Sequence, residues 1–179
     1  MPESTSRRDR LVLSLALGLG ILVLALDQWT KVIVERRFRL GESIPVWDHF
    51  FSLTYVRNNG AAWSILSGQG WLLLAVAALV TAAVIWKFRS LTEGYAERCF
   101  ALILVLGGVA GNSIDRIWRG SVVDFFDFHW YDKYHYPVFN VADIAICVGV
   151  GLFVLSTLLR PSKKKETEKD GDHESPPAA

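Results

Sequence analysis

The sequence predicts a membrane α-helical protein: four transmembrane helices, a small extracytoplasmic β-rich loop domain, and an aromatic-rich second outer loop. Two observations carry this prediction. Four apolar runs, roughly 11–34, 71–88, 100–117 and 141–159, stand out along the chain. Each approaches the ~20 residues that cross a ~30 Å hydrocarbon core. The charged residues lie at the ends and between the runs, so the net charge of +1 says little about partners, and no nucleic-acid partner is expected. The 179 residues, 51% hydrophobic, suit one domain.

The first run follows Arg7, Arg8 and Arg10, which is how a secretory leader begins. No small-x-small cleavage site follows it. The chain continues instead into Asp27-Gln28-Trp29-Thr30-Lys31 and three further spans, so the run reads as a retained helix. The next segment contains Phe50-Phe51-Ser52-Leu53-Thr54-Tyr55-Val56, rich in β-formers and closed by the turn signal Asn58-Asn59-Gly60. It predicts a short sheet on the outer membrane surface. Trp71 and Trp86 bracket the second run 15 residues apart, about 22 Å of helix, which suits aromatic anchors at opposite interfaces.

In the third run, Gly107 and Gly111 form a small-xxx-small pair that admits another helix at close range. The second outer loop carries seven aromatic residues between Phe125 and Tyr136, which suit the headgroup region. Residues 1–10 read as a cytoplasmic N-terminus, 11–160 as the membrane domain with outer loops at about 35–70 and 118–140, and 161–179 as a polar, disordered cytoplasmic tail. Basic residues set the orientation. Eleven lie on the side of the termini and the 2–3 loop, Arg98 among them, against seven on the other, which places both termini in the cytoplasm. Cys99 and Cys147 fall in apolar runs without metal-site spacing and read as small hydrophobes.

Ionisable groups inside apolar segments are costly and mark functional candidates. Asp27 and Lys31, four apart near the outer end of the first span, fit an i,i+4 ion pair or snorkelling at the interface. They fit equally a supporting role in a site or contact with lipid headgroups. Asn112, Asp115 and Arg116 fall at i, i+3 and i+4, so one helical face delivers an amide, a carboxylate and a guanidinium. They read either as a polar helix end or as part of a site. Asn140 and Asp143, opening the fourth span, have the spacing of a capping box, and capping alone would explain them. Asp124, between Val123 and Phe125, has no such structural reason, whereas Asp127 and Asp132 read as solvated. Two carboxylates that meet at a membrane surface suit water attack on a peptide bond, with Asp124 and Asp143 the working pair.

Five motifs then appear in order: Asp27-Gln28-x-Thr30-Lys31, Asn58-x-Gly60-Ala61-Ala62, Gly107-Gly108-x-x-Gly111-Asn112-x-x-Asp115-Arg116, Val123-Asp124-Phe125 and Phe139-Asn140-x-Ala142-Asp143. Over roughly residues 20–150 the chain resembles the lipoprotein signal peptidases (signal peptidase II), departing at Trp63, where that family usually has Phe. The resemblance implies an aspartic endopeptidase of the bacterial inner membrane. Such enzymes remove the signal peptide of prolipoproteins already diacylglycerylated on the lipobox cysteine, cutting just before that cysteine. It implies that Asp124 and Asp143 are the catalytic dyad near the outer leaflet, and that Asn58, Asn112, Arg116 and Asn140 line the site. Asp27, Lys31, Asp115, Gly60 and Ala61 are then substrate-binding or supporting positions. It further implies inhibition by globomycin-type peptides, contact with membrane lipid, a monomer, and no metal or organic cofactor.

Three other classes fit parts of the sequence. A small transporter or proton-relay subunit would use Asp27, Asp115, Asp124 and Asp143 as a polar path, but no half-to-half similarity is visible and the acids gather toward one side. A presenilin-type protease would need a Gly-x-Gly-Asp motif, which is absent. An assembly factor would tolerate Asp124→Asn.

Overall fold

The computed structural model describes residues 6–60 and 65–160; Ala61, Trp63 and the 161–179 tail lie outside them. Four helices and two strand pairs follow in the order α1 (Arg7–Arg37), β1 (Ser43–Trp47), β2 (Phe51–Asn58), α2 (Gly70–Thr92), α3 (Ala96–Arg119), β3 (Val122–Trp130), β4 (Tyr134–His135) and α4 (Val141–Leu159). All four helices are long and apolar enough to cross a membrane. Each of the first three outruns its apolar stretch, because polar residues continue the helix beyond the hydrocarbon. Arg36 and Arg37 form the last turn of α1, where cations suit the negative helix end.

The helix α3 is the centre of the bundle, packing against α1, α2 and α4. Glycines set how closely. A Cβ at Gly107 would sit 3.1 Å from the Gly20 carbonyl of α1, and one at Gly108 would overlap the Ala142 carbonyl of α4. The small-residue face therefore brings both neighbours to backbone contact. The helix α2 packs chiefly on α3 and buries only Thr92, so its remaining surface suits lipid. Trp71 in its first turn and Trp86 toward its other end stand exposed.

Beyond the bundle, the strands form one antiparallel sheet in the order β1-β2-β3-β4. The first two strands answer the expectation for the first outer loop. The second outer loop is not only a run of interfacial aromatics, because it contains β3, paired with β2 from Phe51↔Phe128 to Asn58↔Val122. Its aromatics divide accordingly. Phe125, Phe126 and Phe128 pack inward, Phe128 stacking on Phe139 at 5.8 Å, while Trp130, Tyr131, Tyr134 and Tyr136 stay exposed. Val34 of α1 joins Tyr55, Val123 and Phe125 in a small core that ties the sheet to the helix ends.

At the opposite end of the bundle, Arg98 is not a loop residue. It lies in the first turn of α3, buried, paired with Glu93 at 2.7 Å and donating to Ser156 at 3.2 Å.

Candidate active site

The end of α1, the end of α3 and the start of α4 converge beneath the sheet, and nearly every polar residue singled out in the sequence meets there. Innermost is Lys31. Its ammonium lies 2.9 Å from Asp27 Oδ2 and 2.9 Å from Asp115 Oδ2, and donates to Asn112 Oδ1 at 3.0 Å. All three charged side chains are fully buried. The expectation of snorkelling or headgroup contact for Asp27 and Lys31 therefore fails. Three acceptors satisfy all three ammonium donors inside the bundle, which removes any reason to reach for water. Asp27 also receives the Ala142 amide at 3.0 Å, and Asp115 receives the Val123 amide at 3.1 Å. The charged cluster thereby fixes where α4 and β3 begin.

Gln28, Glu35 and Arg119 belong to this network and were not singled out individually. Gln28 donates to Asp27, Gly111 and Asp115 and accepts from Arg119, which also pairs with Asp115 at 2.7 Å and with Glu35 at 2.9 Å. Arg119 lies four residues after Asp115, a spacing that the sequence does display.

The next layer is made of amides. Asn112 Nδ2 donates to Asp143 Oδ1 at 2.8 Å. Asn140 Nδ2 donates to Asp124 Oδ1 at 2.7 Å and lies 3.1 Å from Asn112 Oδ1. Asn58 Nδ2, from the end of β2, donates to Asp124 Oδ2 at 2.9 Å. Asn140 also caps α4 in a reciprocal box: Asp143 N–H donates to Asn140 Oδ1 at 3.0 Å, and Asn140 N–H donates to Asp143 Oδ2 at 3.1 Å. Capping and positioning are thus done by one residue at once.

Among the described residues Arg116 pairs directly with no carboxylate; it donates to the Gly60 carbonyl at 2.9 Å and to the Asn112 carbonyl at 3.2 Å. Its charge still faces a cavity of about 180 Å³ that Asp124 and Asp143 also line, together with Asn58, Gly60 and Asn112. Ile146 and Cys147, one turn further along α4, continue that wall toward the bilayer. Ala61 lies outside the described residues.

Asp124 is 2% exposed. Burial above all, and then the Asp143 charge, push its pKa up to about 7, while the Asn58 and Asn140 donors and the Lys31 charge pull it down. An acid in that range holds a proton near neutrality. Asp143, half-buried in the first turn of α4, lines the same cavity. A carboxyl that holds a proton, beside a second carboxyl on a common cavity, puts a proton donor next to a possible proton acceptor. Asp127 corrects a second expectation. It is buried in β3 rather than solvated, and accepts from Thr54 Oγ1 at 2.7 Å. The side chain of Asp132 lies outside the described residues. Among the described residues, no group of three or more His, Cys, Asp or Glu side chains is placed to hold a metal ion.

Known proteins resemble this chain in sequence and in fold. The family model for signal peptidase (SPase) II matches residues 19–159. A lipoprotein signal peptidase of Halalkalibacterium halodurans is 44% identical over 153 residues, covering 84% of this chain and 96% of the relative. One of Bacillus subtilis is 41% identical over 150 residues, covering 84% and 97%. A bacterial membrane enzyme solved by the in meso method at 2.3 Å resolution superposes with a TM-score of 0.75 at 31% identity, over 93% of this chain and 94% of that one. Sequence match and fold agree over all four helices and the sheet between them, and the chain belongs to the signal peptidase II family.

Proposed function

We propose that Asp124 and Asp143 are the catalytic pair of an endopeptidase that removes signal peptides from diacylglyceryl-modified prolipoproteins, cutting ahead of the lipidated cysteine. The observation that carries the reading is Asn140, which bonds both carboxyls while they line one cavity. The pair holds one proton, with Asp124 the protonated member because burial and the Asp143 charge both oppose its ionisation. Asp143 takes a proton from a water molecule as the water oxygen bonds to the scissile carbonyl carbon. Asp124 donates to the carbonyl oxygen and stabilises the developing charge. Collapse of the tetrahedral intermediate breaks the C–N bond, returns the Asp124 proton, and sends the proton held by Asp143 to the leaving amine. The Arg116 guanidinium and the Asn58 amide supply further positive potential in the cavity.

The acids gather at one end of the bundle instead of forming a path across it, which disfavours a transporter. The basic-residue balance supports an orientation with that end at the outer face of the bacterial inner membrane and both termini in the cytoplasm. There a diacylglyceryl group holds the substrate cysteine at the lipid surface, since each buried methylene contributes about 0.8 kcal/mol. Globomycin-type inhibitors would occupy the same cavity, and the meeting of Asp124, Asp143, Asn140 and Asn112 within one chain supports a monomer. The test is cleavage by purified protein in detergent. A diacylglyceryl-modified prolipoprotein should be cut to a product beginning at the lipidated cysteine, and the unmodified form should be a poor substrate. Equal turnover of the two would remove lipid from the reading.

A further inference from the structure

The strand β3 is bulged beside the cavity. The amides of Phe125 and Phe126 both donate to the Phe139 carbonyl, at 3.1 and 2.8 Å. An extra residue at such a point resets the alternation of faces along a strand. Asp124 and Asp127, an odd number of residues apart, consequently line the same groove of about 570 Å³. That groove opens from the smaller cavity, sharing Asn58, Asp124, Tyr136 and Val138 with it. The two compartments differ in chemistry. The smaller runs onto apolar α4 at Ile146, whereas the larger is walled by polar groups, among them Arg57, Asn59, Asp127 and His135.

Asp127 is incomplete. Its Oδ2 accepts from Thr54, but its Oδ1, buried in the groove wall, has no hydrogen-bond donor among the described residues. His135 Nδ1 stands 3.6 Å from it, beyond hydrogen-bonding distance. A buried acceptor without a donor is costly, and the side chain that carries it lines a groove that Asp124 lines as well. A signal peptide is apolar up to the cleaved bond, while the chain after the cysteine is bound for water, so the polar groove suits the second. Three residues of strand span roughly 10 Å, the reach from a cleaved bond to the second or third residue beyond it.

Building on the peptidase reading above, we propose that the groove holds the first residues of the mature lipoprotein, and that Asp127 is a specificity residue. Its free oxygen accepts from a donor side chain at the second or third mature position, favouring Lys or Arg there and disfavouring Asp or Glu.

The experiment uses the full chain in detergent and diacylglyceryl-modified prolipoproteins carrying Lys, Ala or Asp at each of those two positions. At one of them kcat/KM should be about tenfold higher for Lys than for Asp, the scale of one hydrogen bond to a charged group. Asp127→Asn should bring that ratio to within about twofold, the residue of unspecific electrostatics. His135→Glu, at an exposed position across from Asp127, should widen it. A flat response at both positions, or a ratio that Asp127→Asn leaves intact, overturns the subsite. If Asp127→Asn does not fold, an unchanged ratio in His135→Glu overturns it as well. These failures leave the peptidase reading standing, whereas wild-type protein that cuts none of the substrates overturns both.

Discussion

Asn140 Nδ2 lies 2.7 Å from Asp124 Oδ1, and the same Asn140 caps the helix that carries Asp143. One side chain thus fixes the spacing between β3 and α4 at the point where two acids face each other. Asn140→Ala removes a cap worth about 1 kcal/mol and leaves both carboxyls less constrained. Misplacement of reacting groups by about 1 Å can lower a rate roughly 100-fold. The expected result is a fall in kcat of that order with only a modest fall in thermal midpoint. Unchanged kcat in the folded variant would separate capping from catalysis.

The pH dependence follows from the direction of the Asp124 shift. Its folded pKa, about 7, lies above the ordinary carboxylate range. The protonated form needed as donor is lost as pH rises, so kcat should fall on the alkaline side of about 7. Stability has the same sign. The folded state binds more protons than the unfolded chain between the two pKa values, so this contribution is complete at acid pH and lost as pH rises through about 7. The limiting slope is about 1.4 kcal/mol per pH unit. Asn58→Ala removes a donor that pulls the pKa down, so the alkaline limb of its kcat profile should move upward. A limb that moves downward would contradict the assignment of the proton to Asp124.

Lys31 should matter for folding before it matters for chemistry. Lys31→Met leaves Asp27 and Asp115 buried at 0% exposure with the central cation gone. Removing one partner of a buried ion pair destabilises by about 3–5 kcal/mol. The thermal midpoint in detergent should drop sharply, and a variant as stable as the wild type would show that the cluster is not structural.

Two glycines test whether closeness of α3 to α4 matters locally. An added Cβ at Gly108 would overlap the Ala142 carbonyl, next to Asp143, and one at Gly149 would lie 2.6 Å from the Ala101 carbonyl, far from the acids. Overpacking of either kind costs about 1–3 kcal/mol. Both alanine variants should lose stability, but only Gly108→Ala should also lose turnover per folded molecule. Equal turnover in the two would mean that the spacing at Ala142 does not tune the site.

Much of this was legible in the chain because the bilayer simplifies the problem. Backbone groups in hydrocarbon must bond within a helix, so apolar length alone located four spans, and α4 was bounded to the residue. The helical spacing of Asn112, Asp115 and Arg116 put them on one face, and the structure brings Asn112 and Arg116 to the acids while Asp115 joins Lys31. What escaped was non-local. β3 was hidden because its inward Phe residues, its exposed Trp130 and the Tyr residues that follow it read alike as interfacial aromatics. Asp127 looked solvated because its burial depends on pairing with β2 and on the bulge at Phe125–Phe126. The fate of Lys31 depended on Asp115, distant in sequence, arriving within 2.9 Å of it.

The central claim is that Asp124 and Asp143 are the reacting groups, and the most direct measurement is cleavage of diacylglyceryl-modified prolipoprotein by Asp124→Asn and Asp143→Asn. Each variant is first checked for a wild-type thermal unfolding profile at low pH, where Asp124 is protonated in the wild type too. Loss of a general acid or base lowers rates by about 10²–10⁴-fold, so both variants should fall by at least that factor while remaining folded. Full activity in either folded variant would contradict the account and turn attention to Asp115 and Asp127.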